Sequence, residues 1–475
     1  MTQPAFYLDA SACSGCKACQ AACKDKHDLP VGVLWRRVYE VTGGGWTRAG
    51  DTWTSDVFAY HLSLSCHHCE QPICAEVCPT QAMHKRADGI VVVDHDKCMG
   101  CQYCGWACPY DAPQYDRARG QMTKCDFCAD NLAAGKPPAC VAACPMRVLE
   151  MRVLEMREGE ESSPNVSPLP VTSLTRPALI VKPHQAAQRP GALGNAEEVS
   201  APAGAEHSLV AFTLLAQLAV GATWFHSGGA TWFRAVGSTW FRALGTNGLR
   251  GVREPFNVSP LLVITVIMLA ALMASFLHLG QPRHAWRALA NLRTSWLSRE
   301  VLFAALFAGA LVGVLATGGR GIWIASVIGL ALIISMAQVY RLRTVPEWNH
   351  RATTASFFVT TLLLGGVMHG ASVAAGPEWA VWAIGLIALQ ALLGASEPRA
   401  GQVVRTAQRL RAAHLVRTVQ LLRAAAIVAL LTTRFTPAGW WATLALVSLT
   451  EVLGRQQFYA KRNPRSAWRF ATPAP

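Results

Sequence analysis

The sequence predicts a chain in two unlike parts: an α+β front domain built on cysteine loops, then an all-α polytopic membrane domain of about eight helices. Three observations predict it. All 16 cysteines of the 475-residue chain lie between Cys13 and Cys144. Eight apolar stretches follow residue 206, each near the ~20 residues that cross ~30 Å of hydrocarbon. Between the two parts, residues 161–205 are rich in Pro, Ser and Ala without a sustained apolar period, which reads as a linker. The predicted divisions are 1–160, 161–205, 206–456 and a basic tail at 457–475. Hydrophobic residues make up 52% and charged residues 15%, a low charge for a soluble protein. A net charge of +14 would suit nucleic acid. Many of the basic residues flank apolar stretches, however, so a membrane accounts for them and no nucleic-acid partner is expected.

The cysteines fall into four runs: Cys13, Cys16, Cys19, Cys23; Cys66, Cys69, Cys74, Cys78; Cys98, Cys101, Cys104, Cys108; and Cys125, Cys128, Cys140, Cys144. The first and third have the spacing C-x2-C-x2-C-x3-C, the run with which bacterial ferredoxins hold 4Fe–4S clusters. The second opens one gap to x4 and the fourth opens one to x11. Three runs end in Cys-Pro, at Pro79, Pro109 and Pro145. A cubane needs one thiolate per iron. Three cysteines on a tight loop reach three irons of one cube, and the fourth, carried on into a helix, points to another cluster. Sixteen thiolates in four such runs predict four 4Fe–4S clusters in two ferredoxin-like modules. Disulfides suit an even count but not pairs as close as C-x2-C, and no signal peptide is read ahead of them. Zinc sites take two such pairs and have no need of a third cysteine at the next x2.

In chain order, Phe6-Tyr7-Leu8-Asp9 reads as a short strand before the first run. Gly89–Asp94 reads as a second strand leading into the third. Residues 146–160, MRVLEMRVLEMREGE, repeat a five-residue unit that suits a helical extension or a simple duplication and shows no chemistry. The apolar spans are expected at about 207–225, 259–279, 301–317, 321–340, 353–374, 379–396, 414–433 and 438–454. Buried helices of a soluble domain would need amphipathic faces that these spans lack. The seventh carries Arg417 and Arg423 in its first half. A central arginine costs about 2.5–3.5 kcal/mol on insertion scales, so both are expected to snorkel or to face the bundle interior. Between the first two spans, GATWFHSG, GATWFRAVG and GSTWFRALG repeat Trp, Phe and Arg. That suits the headgroup level; an expanded loop without a role reads equally well.

The loops after spans two, four and six, with the tail, hold sixteen Lys and Arg against six in the other loops. The positive-inside rule then puts that face, and the cluster domain, in the cytoplasm of a bacterial cell membrane. No twin-arginine signal is read at the start; export with a signal-bearing partner leaves the periplasmic side open. By hairpin alternation, His278 at the end of span two, Glu300 at the start of span three and Glu451 near the end of span eight all return to the cluster side. Quinol oxidation releases two electrons and two protons. A cluster accepts electrons, an imidazole accepts a proton, and a carboxylate passes it to water. His278 and Glu300 are the candidates for the proton steps, with Glu451 behind them. The competing reading is structural: a snorkelling histidine, and a glutamate that caps span three after Ser298. A haem b would need two axial histidines from facing spans. His278, His369 and His414 form no clear pair, so no haem is expected.

The stretches CSGCKACQAACKDKHDL, SCHHCEQPICAEVCPTQAMHKR, GIVVVDHDKCMGCQYCGWACPYDAPQY and MTKCDFC resemble the iron–sulfur subunit of bacterial dimethyl sulfoxide reductases over nearly all of residues 1–150. MASFLHLGQPRHAWRALANL, QVYRLRTVPEWN and EVLGRQQFY resemble the membrane anchor of the same family. The resemblance implies that Cys13, Cys16 and Cys19 share a cluster with Cys144, and that Cys23 joins Cys125, Cys128 and Cys140. It pairs Cys66, Cys69 and Cys74 with Cys108, and Cys78 with Cys98, Cys101 and Cys104. Some relatives have Trp in the third run and a three-iron cluster; with Cys101 present, four full cubanes are expected. Two subunits that are usually separate polypeptides are joined here. The family anchor is haem-free and binds quinol around the residue matching His278. The expected function is oxidation of quinol, menaquinol by preference, from the membrane quinone pool. Electrons would pass through four clusters to a separate molybdopterin catalytic subunit that reduces dimethyl sulfoxide or another S- or N-oxide. Two alternatives stay open: the same wire run in reverse, from sulfite or a similar donor to quinone, and a structural anchor with non-redox clusters.

Overall fold

The computed structural model describes residues 2–155, 166–194, 205–226, 258–373, 377–396, 406–432 and 436–460. The front domain is built on β1 (Thr2–Asp9), whose buried Ala5, Phe6 and Leu8 face the core. In chain order there follow β2 (Arg37–Gly43), β3 (Trp46–Ala49), β4 (Thr52–Ser55), β5 (Phe58–Leu64), β6 (Met83–Lys85), β7 (Val91–Val93), β8 (Gln114–Asp116), β9 (Gln121–Thr123), β10 (Leu149–Glu155), β11 (Leu179–Lys182) and β12 (Gly191–Gly194). One sheet runs β10-β1-β11, with β10 antiparallel and β11 parallel to β1, so that Phe6 lies opposite both Met151 and Leu179. A second runs β12-β2-β5, antiparallel throughout. Three two-stranded hairpins complete the set. Both expected strands are present, as β1 and β7. Short helices α1 (Ala18–Lys26), α2 (Ile73–Glu76), α3 (Tyr103–Ala107), α4 (Ala129–Ala133) and α5 (Ala139–Ala142) follow or carry the cysteine loops.

Two expectations are corrected. The MRVLE repeat is strand, not helix, over Leu149–Glu155. The open edge of β1 offers a ladder of backbone partners, and Arg152 settles 3.5 Å over the Tyr7 ring while pairing with Glu150 at 2.9 Å. Residues 156–160 of the repeat lie outside the described residues. The linker expected over 161–205 is, over 166–194, part of the front domain. It supplies β11 and β12, buries Val166, Leu179, Val181, Ala186 and Ala187 in the front core, and joins Lys182 to Asp9 at 2.8 Å. A four-residue strand within a Pro/Ser/Ala stretch is too short to alter the composition around it.

Behind the front domain, eight long helices match the eight expected spans among the described residues: α6 (Ala205–His226), α7 (Val258–Phe276), α8 (Trp296–Ala316), α9 (Ile322–Val339), α10 (Arg351–Val373), α11 (Pro377–Ser396), α12 (Thr406–Thr432) and α13 (Pro437–Ala460). Within these, 207–226, 296–316, 322–339 and 351–372 are long and apolar enough to cross a membrane, and 260–276 and 379–393 form shorter apolar helices. α6 packs on α7 and α10, α8 on α9, and α13 on α10 and α12. Trp348, Trp440, Phe307 and Phe357 fill the shared interior. The outward side of α7 exposes Leu262, Val263, Val266, Leu269 and Met273, an apolar face that in water would drive aggregation and in lipid is matched by its solvent. Arg423 faces the bundle interior and Arg417 is exposed. The Trp/Phe/Arg repeat after residue 226 and the His414 side chain lie outside the described residues.

Candidate functional site

Each cysteine run opens with the same turn. The residue before the second cysteine is left-handed in all four: Gly15 (φ 69°), His68 (φ 42°), Gly100 (φ 74°) and Phe127 (φ 65°). Glycine adopts this conformation freely. His68 and Phe127 do not, and packing holds them there: Phe127 stacks on Phe6 at 4.2 Å and meets His68 edge-on at 5.2 Å. The turn folds the first two thiols toward one centre. A second left-handed residue, Lys17 or Gln102, then starts α1 or α3, which brings in Cys19 or Cys104. Cys23 lies further along α1, and Cys108 ends α3.

The sixteen thiols are free and gather as four groups of four. Cys13, Cys16, Cys19 and Cys144 line one pocket. Cys78, Cys98, Cys101 and Cys104 line another. Cys23, Cys125, Cys128 and Cys140 form a third group, and Cys66, Cys69, Cys74 and Cys108 a fourth. The resemblance implied this grouping. Neighbouring groups adjoin in a line, with Cys104 beside Cys74, Cys66 beside Cys125, and Cys140 beside Cys19. Burial first, and the charge of other cysteines after it, pushes the thiols up: Cys23 and Cys108 to about 12, Cys128 to about 11. Thiols held protonated in this way are poor nucleophiles, and give up their protons only to a metal. The donor set therefore fits iron–sulfur clusters. Sequence reasoning missed His27, whose Nε2 lies 3.3 Å from Cys128 Sγ and 3.8 Å from Asp126. Nothing in the local spacing marks it.

One group sits against the anchor. After α7 the chain turns at His278 and lays Gly280 on the third cysteine loop and the β8–β9 turn. A Cβ on Gly280 would overlap the Gly120 carbonyl oxygen. Around this crossing Gln281 N donates to Met99 O at 3.1 Å, Gln281 Nε2 to Arg119 O at 2.7 Å, and His284 Nδ1 pairs with Cys98 O at 3.0 Å. The carbonyls that end α2 have no partner within their own helix. The anchor supplies it: Thr294 to Glu76 (2.8 Å), Ser295 to Val77 (2.8 Å) and Asn291 to Cys78 (2.9 Å). Tyr103 donates to Val339 O and Thr344 to Ala107 O, both at 2.7 Å. Gly280→Val is expected to force this crossing apart at a cost of about 1–3 kcal/mol. The check is iron retained per polypeptide together with slower reduction of the clusters from the membrane.

His278 stands two residues before the crossing, partly buried, with its ring against the backbone of Ser275. Glu300 lies a turn inside α8, 4% exposed, among Tyr103, Tyr340 and Tyr459. Ser295 caps that helix, so Glu300 does not. Both residues flank the Cys98–Cys108 run, His278 through Gly280 on Gly100 and Glu300 through Tyr103. No hydrogen bond or ion pair joins them to each other. Glu451 belongs to a different network. It accepts from Thr360 (2.7 Å) and Gln390 (3.1 Å) and pairs with Arg423 (3.4 Å). Arg423→Ala would leave a buried carboxylate without its cation, at a cost of about 3–5 kcal/mol. Thermal denaturation in detergent should show that loss, and much of it should return in R423A/E451Q.

Thiol groups in a line, fastened to an apolar helical bundle at one end, define a membrane-anchored iron–sulfur electron-transfer protein. Residues 57–154 match the family described as the 4Fe-4S dicluster domain, and residues 203–453 match that described as the DMSO reductase anchor subunit (DmsC). The chain thus belongs to the dimethyl sulfoxide reductase family, as its iron–sulfur and anchor subunits joined in one polypeptide. The front part is 50% identical over 204 residues to a component chain of the anaerobic dimethyl sulfoxide reductase of Escherichia coli K12, covering 42% of this chain and 99% of that one. It is 49% identical over 207 residues to the corresponding chain of Haemophilus influenzae, covering 42% and 100%. It is also 39% identical over 167 residues to a sulfite dehydrogenase subunit of Allochromatium vinosum, covering 30% and 66%.

Proposed function

We propose that the chain oxidises quinol at the membrane face of its front domain and carries the electrons through four 4Fe–4S clusters to a separate molybdopterin catalytic subunit. The observation that carries this reading is the seam. The loops of the Cys78, Cys98, Cys101 and Cys104 group are hydrogen-bonded to the stretch between His278 and Glu300, and the other three groups lead away from it. Bound clusters supply one-electron acceptors in series. His278 takes a hydroxyl proton from quinol through its ring and orients the quinol toward the third cysteine loop. Glu300, set among three tyrosines on the other side of that loop, receives the second proton. Apolar packing around both keeps bulk water from competing for them. Menaquinol is the donor, and the catalytic partner reduces dimethyl sulfoxide or a related S- or N-oxide. The excess of Lys and Arg in the loops after spans two, four and six supports a cytoplasmic front domain.

The likeness to a sulfite dehydrogenase subunit favours one alternative, the same wire delivering electrons to quinone. Redox-poised EPR separates them. With quinol as donor, cluster potentials at or above that of the quinone pool support the proposed direction, and potentials far below it support the reverse. Clusters that stay oxidised with a menaquinol analogue and, once reduced by dithionite, pass no electrons to quinone would leave only a structural anchor.

A further inference from the structure

Two cations are buried in the front domain without a carboxylate. Arg36 is 1% exposed and Lys124 is 3% exposed. Arg36 Nη1 donates to Ser63 O (3.1 Å) and Ser63 Oγ (3.2 Å), and Nη2 donates to Ser65 Oγ (2.9 Å). Its guanidinium lies 4.4 Å over the Phe6 ring, and its Nε has no hydrogen-bond partner among the described residues. Lys124 Nζ donates to the carbonyls of Val91 and Cys125, the latter at 2.8 Å. Every one of these acceptors is neutral. Burying a cation is unfavourable unless negative charge lies close by. Among the described residues no carboxylate meets either one. The groups that act on Arg36 are the thiols of Cys140, Cys125, Cys19 and Cys23, drawn from two adjoining groups. Lys124 acts on Cys74, in the next group along. Ser63, which accepts from Arg36, also meets Cys19 Sγ at 3.2 Å.

We propose that Arg36 and Lys124 are fixed countercharges to the clusters, and that they raise the reduction potentials of the three groups remote from the membrane relative to the group at the anchor. This rests on the sixteen cysteines being cluster ligands. A 4Fe–4S cluster with four thiolates is anionic, and each electron it accepts adds one negative charge without making or breaking a bond in the protein. A cation held nearby therefore favours the reduced form. Because Arg36 stands among thiols of the two groups farthest from the anchor, it draws electrons away from the quinol face.

Redox-poised EPR on membranes holding the full chain with its catalytic partner tests this. Arg36→Gln is expected to lower the reduced-to-oxidised ratio of the Cys13/Cys16/Cys19/Cys144 and Cys23/Cys125/Cys128/Cys140 clusters about tenfold at fixed potential, about 59 mV for a one-electron couple. The anchor-side cluster should stay in place, and Arg36→Lys should restore the potentials. Lys124→Gln is expected to do the same to the Cys66/Cys69/Cys74/Cys108 cluster. If Arg36→Gln does not assemble, Ser65→Asp, which keeps the guanidinium and neutralises it, must give the same fall. Unshifted potentials in Ser65→Asp or in Lys124→Gln, or an Arg36→Lys variant that matches Arg36→Gln, overturn the proposal. A wild-type protein with full iron content separates that result from failure of the ligand assignment, which would show as iron-free protein.

Discussion

Cys104→Ser is expected to stop quinol-driven reduction of the whole wire, down to background, while the other three clusters still reduce with dithionite. The reason is position. Cys104 belongs to the group whose loops the anchor touches. Asn291 and His284 hold the Cys78 and Cys98 carbonyls, and Tyr103, beside Cys104, reaches Val339. The remaining groups follow it in series, so losing this one opens a gap that no other thiol group bridges. Serine keeps the shape but offers a hard oxygen where iron–sulfur clusters favour a soft thiolate. EPR of quinol-treated and dithionite-treated membranes checks both halves at once. Quinol reduction at the wild-type rate in a variant lacking that cluster would mean that electrons join the wire elsewhere.

His278→Gln is expected to lower the quinol-driven rate by about 10²–10⁴-fold, the range that a positioned acid–base group contributes. Dithionite-reduced spectra should be unchanged, because the side chain touches no cysteine. Glutamine keeps hydrogen-bonding capacity but cannot take a proton, so the loss isolates proton transfer from binding. Glu300→Gln is expected to act in the same direction. His278 and Glu300 serve the same quinol, so the double variant is expected to lose less than the sum of the two single effects. A Glu300→Gln variant with unaltered turnover would remove the carboxylate from the proton path and leave His278 as the sole candidate.

The cysteine runs were legible because covalent spacing brings three thiols of a run to one cube; which fourth thiol completes it came only from the resemblance. The apolar spans were legible because hydrocarbon thickness sets their length. Hairpin alternation correctly brought the ends of α7 and α13 and the start of α8 to one face. Other features had no local trace. β11 is recognisable only beside β1, since Lys182 and Asp9 meet across 173 positions. The MRVLE unit reads as helix until the edge of β1 claims it. Arg423 looked like a liability in a membrane span, and Glu451, which answers its charge, lies 28 positions away.

By itself the sequence determined the kind of chemistry, iron held by thiolates ahead of a lipid-embedded bundle, because ligand type, ligand spacing and span length are properties of neighbouring residues. Only the tertiary structure decided how the parts meet. Gly280 fits on Gly120 because neither has a side chain there, the anchor caps the carbonyls of α2, and two cations stand among the thiols with no carboxylate to answer them. Those are contacts between residues far apart in the chain, fixed by packing and charge compensation, and no stretch of neighbouring residues encodes them.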